Sequence, residues 1–238
     1  MKLTKLTNVG LIRKGNEDSI IVDPSLQLFG VADGMGGHEA GEVASSLAAE
    51  TIQGHLARQR SWVLVDPAAA IRSAFKEANR QVYLKAHSQD NLRGMGTTLT
   101  AGIIAGDRLI LGHVGDSRAY LIRGNELKQL SQDHSLVNEL LKGGGITEEE
   151  AFNHPQRNVL TRALGTAQEI QVDVVEEKLY QGDRLLFCTD GLSGLVRKDE
   201  MEKMIFSGLD LDTIANELMR AALNNGGYDN ISLVMLEI

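Results

Sequence analysis

Four apolar runs in this chain lead into or out of an aspartate. Leu28-Phe29-Gly30-Val31-Ala32 stops on Asp33 and then on Gly34-Met35-Gly36-Gly37-His38, and Leu109-Ile110-Leu111-Gly112-His113-Val114-Gly115 reaches Asp116. Leu185-Leu186-Phe187-Cys188-Thr189 reaches Asp190-Gly191, while Asp229-Asn230 immediately precedes Ile231-Ser232-Leu233-Val234-Met235-Leu236. One Asp-Gly pair is better read as a turn. Repetition changes the reading. In antiparallel sheets the exit of one strand lies beside the entry of its neighbour, so three acids after strands and one before a strand can meet at a single edge. A carboxylate on a rigid strand end, followed by glycines that let backbone oxygens come close, suits a hard cation.

The bulk properties narrow the frame. With 238 residues, 42% of them hydrophobic, the chain can bury one substantial core, and a single domain over 1–238 is expected. A net charge of -8 argues against nucleic acid or an anionic membrane as partner. Cys188 is the single cysteine and makes no internal disulfide, the opening residues lack a signal-peptide layout, and no apolar run nears the roughly 20 residues of a membrane helix. A cytoplasmic location is expected.

Short strands are predicted at Lys2 to Val9 and Ser19 to Val22, flanking the polar connection Gly10 to Asp18. From Glu39 onward Val43, Ala44, Leu47, Ala48, Ile52 and Leu56 fall at helical spacing, and Asp66 with Pro67 caps a second helix carrying Ile71, Ala74, Phe75, Ala78 and Val82. Strand pairs follow at Thr97 to Ile104 with Arg108 to Val114, and at Ala119 to Arg123 with Glu126 to Leu130, each joined by a short turn. Residues 131–171 break into short helical pieces, with a Gly143 to Gly145 stop and Thr147 and Glu150 spaced as a capping box; this reads as a flap. Strands resume at Val172 to Val175 and Arg184 to Cys188, then a helix carrying Leu211, Ile214, Ala215, Leu218 and Ala222 precedes the last strand. Helices bracketing runs of strands predict an α+β fold, two antiparallel sheets covered by helical layers.

Oxygen ligands without a cysteine and histidine cluster suit Mg²⁺ or Mn²⁺ better than zinc. Two such ions can share an aspartate, for which Asp33 is the natural choice, activate a bridging water and offset charge on a phosphoryl group. Arg13 offers a planar fork matched to phosphate oxygens.

Arg13-Lys14-Gly15-Asn16-Glu17-Asp18, Val31 to His38, Gly94-Met95-Gly96-Thr97-Thr98, Val114-Gly115-Asp116-Ser117-Arg118, Thr189-Asp190-Gly191-Leu192 and Gly227-Tyr228-Asp229-Asn230 together resemble the successive motifs of metal-dependent type-2C protein phosphatases, the PPM family, in its compact bacterial branch. The likeness spans nearly the whole chain and its combination of motifs is specific where each alone is weak. It implies a four-layer αββα sandwich and a Mn²⁺- or Mg²⁺-dependent protein serine/threonine phosphatase. In that reading Asp33, Asp190 and Asp229 are the catalytic metal ligands, Gly34 gives a carbonyl, Asp18 binds through water, and Asp116 joins Asp190 at a third metal position. Arg13 holds substrate phosphate, and His154 to Leu160 resembles the motif of the family's variable flap. Partners would be Ser/Thr-phosphorylated proteins and a cognate Ser/Thr kinase, with the chain acting as a monomer in signalling.

One departure stands out. The eukaryotic branch carries a histidine after the Asp-Gly, a proposed general acid, where this chain has Met35. His38 is near, but a histidine beside a helix start is more often a structural hydrogen-bonder than a proton donor, so it is not counted as catalytic. A cysteine phosphatase would need arginine six positions after its nucleophile, and Gly194 stands there after Cys188. The serious rival is a silent domain of the same fold that only binds phosphoproteins, against which the complete acid set and Arg13 argue. A third reading, action on one phosphorylated regulator of transcription, is disfavoured because no sensor domain is present.

Overall fold

Strands buried on both faces explain the near-continuous apolar runs of the sequence. The computed structural model describes residues 1–36 and 40–238. In it β1 (Lys2–Asn8), β11 (Ile231–Glu237), β10 (Arg184–Cys188), β7 (Arg118–Arg123) and β8 (Glu126–Gln129) form one sheet in that order. The other sheet runs β2 (Asp18–Asp23), β3 (Leu28–Met35), β5 (Leu99–Ala105), β6 (Arg108–Val114) and β9 (Asp173–Lys178), with the short β4 (Gly96–Thr97) paired to β3. Every pairing is antiparallel.

Three cores hold four layers together. Phe29, Val31, Leu109, Leu111, Phe187 and Val234 meet between the two sheets. The alternate side chains of the second sheet, Leu28, Ala32 and Ile110 among them, pack on α1 (Ala40–Arg58) and α3 (Pro67–Ala86). Leu186, Cys188, Leu233 and Met235 of the first sheet pack on α6 (Asp190–Ser193), α7 (Lys198–Ile205) and α8 (Leu211–Asn224). The period-two alternation along β11 is plain: Leu233 and Met235 face the helices, Val234 and Leu236 the other sheet. The αββα sandwich implied by the resemblance is the observed fold. Cys188 is core, fully buried, with its thiol pushed up to about 12 by burial. Among the described residues no helix is long and apolar enough to cross a membrane.

Several elements depart from the expectation. A short helix, α2 (Arg60–Val65), fills the link between the two long ones, and α7 was not anticipated. Leu64 and Val65 on α2 are exposed, so that segment carries no clean core-facing period to read. β9 begins at Asp173 and runs to Lys178, through the acidic pair Glu176 and Glu177, because it is the edge strand beside β6. Asp33 is not at the end of its strand: β3 continues to Met35 by pairing with β4. The Asp66 cap is as expected, its side chain accepting from the Ala69 amide. The flap contains α4 (Leu136–Lys142) and α5 (Glu148–Phe152), and Thr147 with Glu150 closes a capping box at the start of α5. Its returning end is pinned to α3, where Asn79 Oδ1 accepts from the Gly165 amide and Asn79 Nδ2 donates to the carbonyls of Ala167 and Gln168.

Candidate metal centre and active site

The topology brings the acids to one edge of the sandwich. Asp18 opens β2 and is the register partner of Asp33 on β3, so two carboxylates stand directly opposite on adjacent antiparallel strands. Like charges in that arrangement repel. In the other sheet the exit of β10 lies beside the entry of β11, which sets Asp190, on the first turn of α6, near Asp229, two residues before β11. Asp116 lies in the turn between β6 and β7. Gly34 sits where the Glu17 carbonyl, accepting from the Gly34 amide at 3.0 Å, and the Gly41 carbonyl both crowd its α-carbon. A side chain there would collide with backbone on both sides, which is why only glycine serves.

The electrostatics of this edge are unfavourable without a cation. Burial pushes the Asp18 carboxyl up to about 7, reinforced by Asp190 and Asp229 and only partly offset by hydrogen bonds from Ser232 and Thr189. Asp33 is raised well above the usual range by burial and then by Asp18, Asp190, Asp116 and Asp229. Asp116 is raised by burial and Asp190, and Asp190 by burial and Asp229. Asp18 Oδ2 accepts from Thr189 Oγ1 at 2.9 Å, but among the described residues its buried Oδ1 has no partner, and an unpaired buried carboxylate oxygen is costly.

Among the described residues no three histidine, cysteine or acidic side chains converge as tightly as in a ready-made metal cage. The acids repel one another, and Arg13 Nη2 donates to Asp229 Oδ2 at 2.7 Å. The donor set nevertheless fits a hard divalent ion: carboxylates and a backbone carbonyl, one orphaned oxygen, and mutual repulsion that a cation would relieve. Arg13, half exposed, stands over this cluster, held by Asp229. His38 lies outside the described residues.

Sequence reasoning assigned no role to three residues that hold the acids in place. Thr98 Oγ1 accepts from the Asp33 amide at 2.9 Å and lies 2.7 Å from Ser117 Oγ, linking the segments that carry Asp33 and Asp116. Asn230 Nδ2 donates to the carbonyls of Val9 and Gly15, and its Oδ1 accepts from the Glu17 amide. The loop from Arg13 to Asp18 is thereby laced to the start of β11. His134 clamps the Asp116 turn from the flap side. Thr98 and Asn230 fall in the polar motifs and His134 in irregular chain, and nothing in a linear sequence shows which amide or carbonyl a side chain will meet.

From Asp116 and Asp190 a groove of roughly 720 Å³ runs outward between the flap and α7, past Arg118, Phe152, Arg157 and Arg197. Arg157 bears on the acids too, lowering the pKa of Asp190 against the effect of burial. Arg197 bridges the groove, two of its guanidinium nitrogens donating to Glu149 at 2.6 and 2.8 Å while its Cζ lies 4.4 Å from the Phe152 ring centre.

A layered sandwich whose two sheets deliver acids to a shared edge under an arginine defines a class. The family model described as Protein phosphatase 2C matches residues 14–225, and the chain belongs to that family. It is 40% identical over 235 residues to the serine/threonine phosphatase stp of Listeria welshimeri, covering 97% of this chain and 93% of that protein. The crystal structure of the Mycobacterium tuberculosis serine/threonine phosphatase PstP/Ppp superposes with a TM-score of 0.91 at 37% identity, covering 100% of this chain and 98% of that one. A PstP catalytic domain crystallised with two manganese ions matches with a TM-score of 0.88 at 35% identity, covering 99% and 97%.

Proposed function

We propose that the chain is a Mn²⁺- or Mg²⁺-dependent phosphatase that hydrolyses phosphoserine and phosphothreonine in proteins. The observation that carries this reading is the facing pair Asp18 and Asp33, with one Asp18 oxygen buried and unpartnered. Asp33, Asp190 and Asp229, with the Gly34 carbonyl, would hold two cations; Asp18 would support them from β2, and Asp116 with Asp190 would serve a third, looser position. When bound, the cations supply an acidified water as nucleophile and positive charge against the phosphoryl oxygens. Asp33 would be the central ligand of the set, since the charges of Asp18, Asp190, Asp116 and Asp229 all bear on it.

Arg13 exchanges its carboxylate partner for substrate. Freed from Asp229, the guanidinium would grip two phosphoryl oxygens and hold the phosphoryl group in place. Met35 has no proton to give the departing alkoxide. His113 and His134 are committed to buried hydrogen bonds at the base of the flap, so neither reaches the leaving group. The groove beyond Asp190 receives the polypeptide flanking the phosphorylated residue, and Arg157 on the flap meets that polypeptide.

Substrates are Ser/Thr-phosphorylated proteins, and the chain acts as a monomeric single domain in the cytoplasm, opposing a Ser/Thr kinase. The decisive experiment is hydrolysis of an aryl phosphate and of phosphoserine and phosphothreonine peptides by purified protein, with and without Mn²⁺. Metal-dependent turnover of all three is expected. Saturable phosphopeptide binding without turnover would make the chain a binding module instead.

A further inference from the structure

After the aspartate the turn that carries Asp116 is anchored by side chains, Ser117 Oγ lying 2.7 Å from Thr98 Oγ1 and Thr100 Oγ1 donating to the Ser117 carbonyl, but before it stands a glycine. Gly115 adopts φ +114°, and a β-carbon there would run into the Thr98 side chain, so the turn must be held through its main chain. One residue does this twice. The Gly115 amide donates to His134 Nδ1 at 3.0 Å, and the His134 amide donates to the Gly115 carbonyl at 2.8 Å.

The far side of the same imidazole is tied to the flap's returning end. His134 Nε2 lies 3.1 Å from Asp173 Oδ2, on the first residue of β9. Arg162 Nη1 donates to Asp173 Oδ1 at 2.8 Å and to the Gln171 carbonyl at 3.3 Å. The proton inventory fixes the tautomer. Since Nδ1 accepts from Gly115, the neutral ring carries its hydrogen on Nε2 and donates it to Asp173. Arg162, though 3.0 Å from the same nitrogen, is then held by Asp173 and Gln171 and not by the ring.

We propose that His134 is a positioning residue for Asp116: its Nδ1 and amide fix both polar groups of Gly115, and through Asp173 and Arg162 it couples the third cation position to the two ends of the flap. The inference rests on the reading of Asp116 as a cation ligand. Groups that orient a ligand from behind affect metal affinity by roughly 10–100-fold when removed, and His134 acts one residue from the carboxylate it sets. The flap's entry at His134 and its exit at Arg162 and Asp173 share one hydrogen-bonded clasp, so a shift of the flap is transmitted to the Asp116 turn.

Two near-isosteric variants separate the two ring nitrogens. In His134→Asn the amide oxygen can stand where Nδ1 stood and accept from Gly115; in His134→Gln the amide reaches only the Nε2 position. Two readouts are needed: hydrogen-exchange protection of the Gly115 amide in metal-free protein, and calorimetric titration of Mn²⁺ into wild type, both variants and Asp116→Ala. Gly115 protection should survive in His134→Asn and be lost in His134→Gln. The weakest Mn²⁺ should be lost or weakened roughly 10–100-fold in His134→Gln, as in Asp116→Ala, with the two tighter ions unaffected. Unchanged Gly115 protection in His134→Gln, or equal losses in both variants, would overturn the proposal. Should Asp116→Ala titrate like wild type while Gly115 protection still follows the Nδ1 substitute, the assignment of Asp116 falls and the clamp by His134 stands.

Discussion

Two polar clusters meet at the Asp116 turn, and they are built on opposite terms. On one side Asp18, Asp33, Asp190 and Asp116 crowd together, raised by burial and by one another, with an Asp18 oxygen left over. On the other side, His113 and His134 stack 4.8 Å apart, and their ring nitrogens reach Thr100, the Gln132 carbonyl, the Gly115 amide and Asp173. A satisfied buried network rigidifies a fold, whereas an unsatisfied one stores repulsion that only a ligand relieves. The first cluster is what a cation site looks like from the protein's side. The second is scaffold.

The sharpest way to break this contrast is to delete an acid. Asp33→Ala should abolish turnover, since several kcal/mol of charge stabilisation is at stake and each 1.36 kcal/mol is about tenfold in rate. It should also raise the melting temperature of the metal-free protein, because the variant removes a buried carboxyl crowded by four others. A variant that is inactive and melts lower in EDTA would mean that Asp33 is ordinary scaffold; retention of near-normal turnover would sink the two-metal reading.

Titration separates the clusters next. Asp18 is raised from an ordinary 3.8 to about 7, so between those values the folded chain binds more protons than the unfolded one and loses stability as pH rises. At about 1.4 kcal/mol per unit the effect is a few kcal/mol, and Asp33 and Asp116 act in the same direction. His113, pulled from 6.5 to about 4 by burial and then by His134, has the opposite sign: its contribution is lost as pH falls through that range. Denaturant midpoints in EDTA should therefore fall from pH 5 to pH 8. Saturating Mn²⁺ should restore most stability at pH 8 by mass action, leaving the histidine slope. A pH profile unaltered by Mn²⁺ would contradict a cation among these acids.

How much of this could be read beforehand follows the same division. The acids were legible because they punctuate apolar runs, and the meeting of Asp190 with Asp229 at one edge follows from strand exits lying beside strand entries. The resemblance added Asp18, the Gly34 carbonyl and the third-position role expected of Asp116. The clasp at the base of the flap was not legible: His113 sits inside an apolar strand, His134 and Arg162 lie in irregular chain, and their partners include main-chain groups 9 to 19 residues away and the Asp173 side chain 39 residues from His134. α2 lacks a core-facing period, whereas α7 carries Met201, Met204 and Ile205 at helical spacing but within only 8 residues. Asp33 was placed at a strand end because glycines follow it, yet pairing with β4 carries β3 two residues further.

Arg13 tests the border between acid cluster and substrate. Among the described residues its side chain pairs with Asp229 alone, and replacing that contact by phosphate should contribute about 1.5–3 kcal/mol of binding. Arg13→Ala should raise KM by tenfold or more while lowering kcat less, as expected when an interaction serves ground and transition states alike. An unchanged KM would remove Arg13 from the site.

The smallest effect is expected where the flap meets α7. Arg197 and Glu149 are largely exposed, and exposed ion pairs contribute little to stability, bidentate ones somewhat more. Arg197→Ala should therefore leave the melting temperature where it is and spare the aryl phosphate, which needs only the acids and Arg13. Its influence lies in the groove: Arg197 joins α7 to Glu149 and Phe152 across the path that a phosphoprotein's flanking chain would take. Releasing that bridge should change KM for a phosphoprotein several-fold and flatten the difference between phosphopeptides of unlike flanking sequence. Glu149→Gln, which keeps the shape and removes the charge, should act in the same direction more weakly. Loss of aryl phosphate and phosphoprotein turnover in equal proportion would instead make the bridge part of the catalytic apparatus, and the separation between a rigid acid centre and an adjustable flap would have to be abandoned.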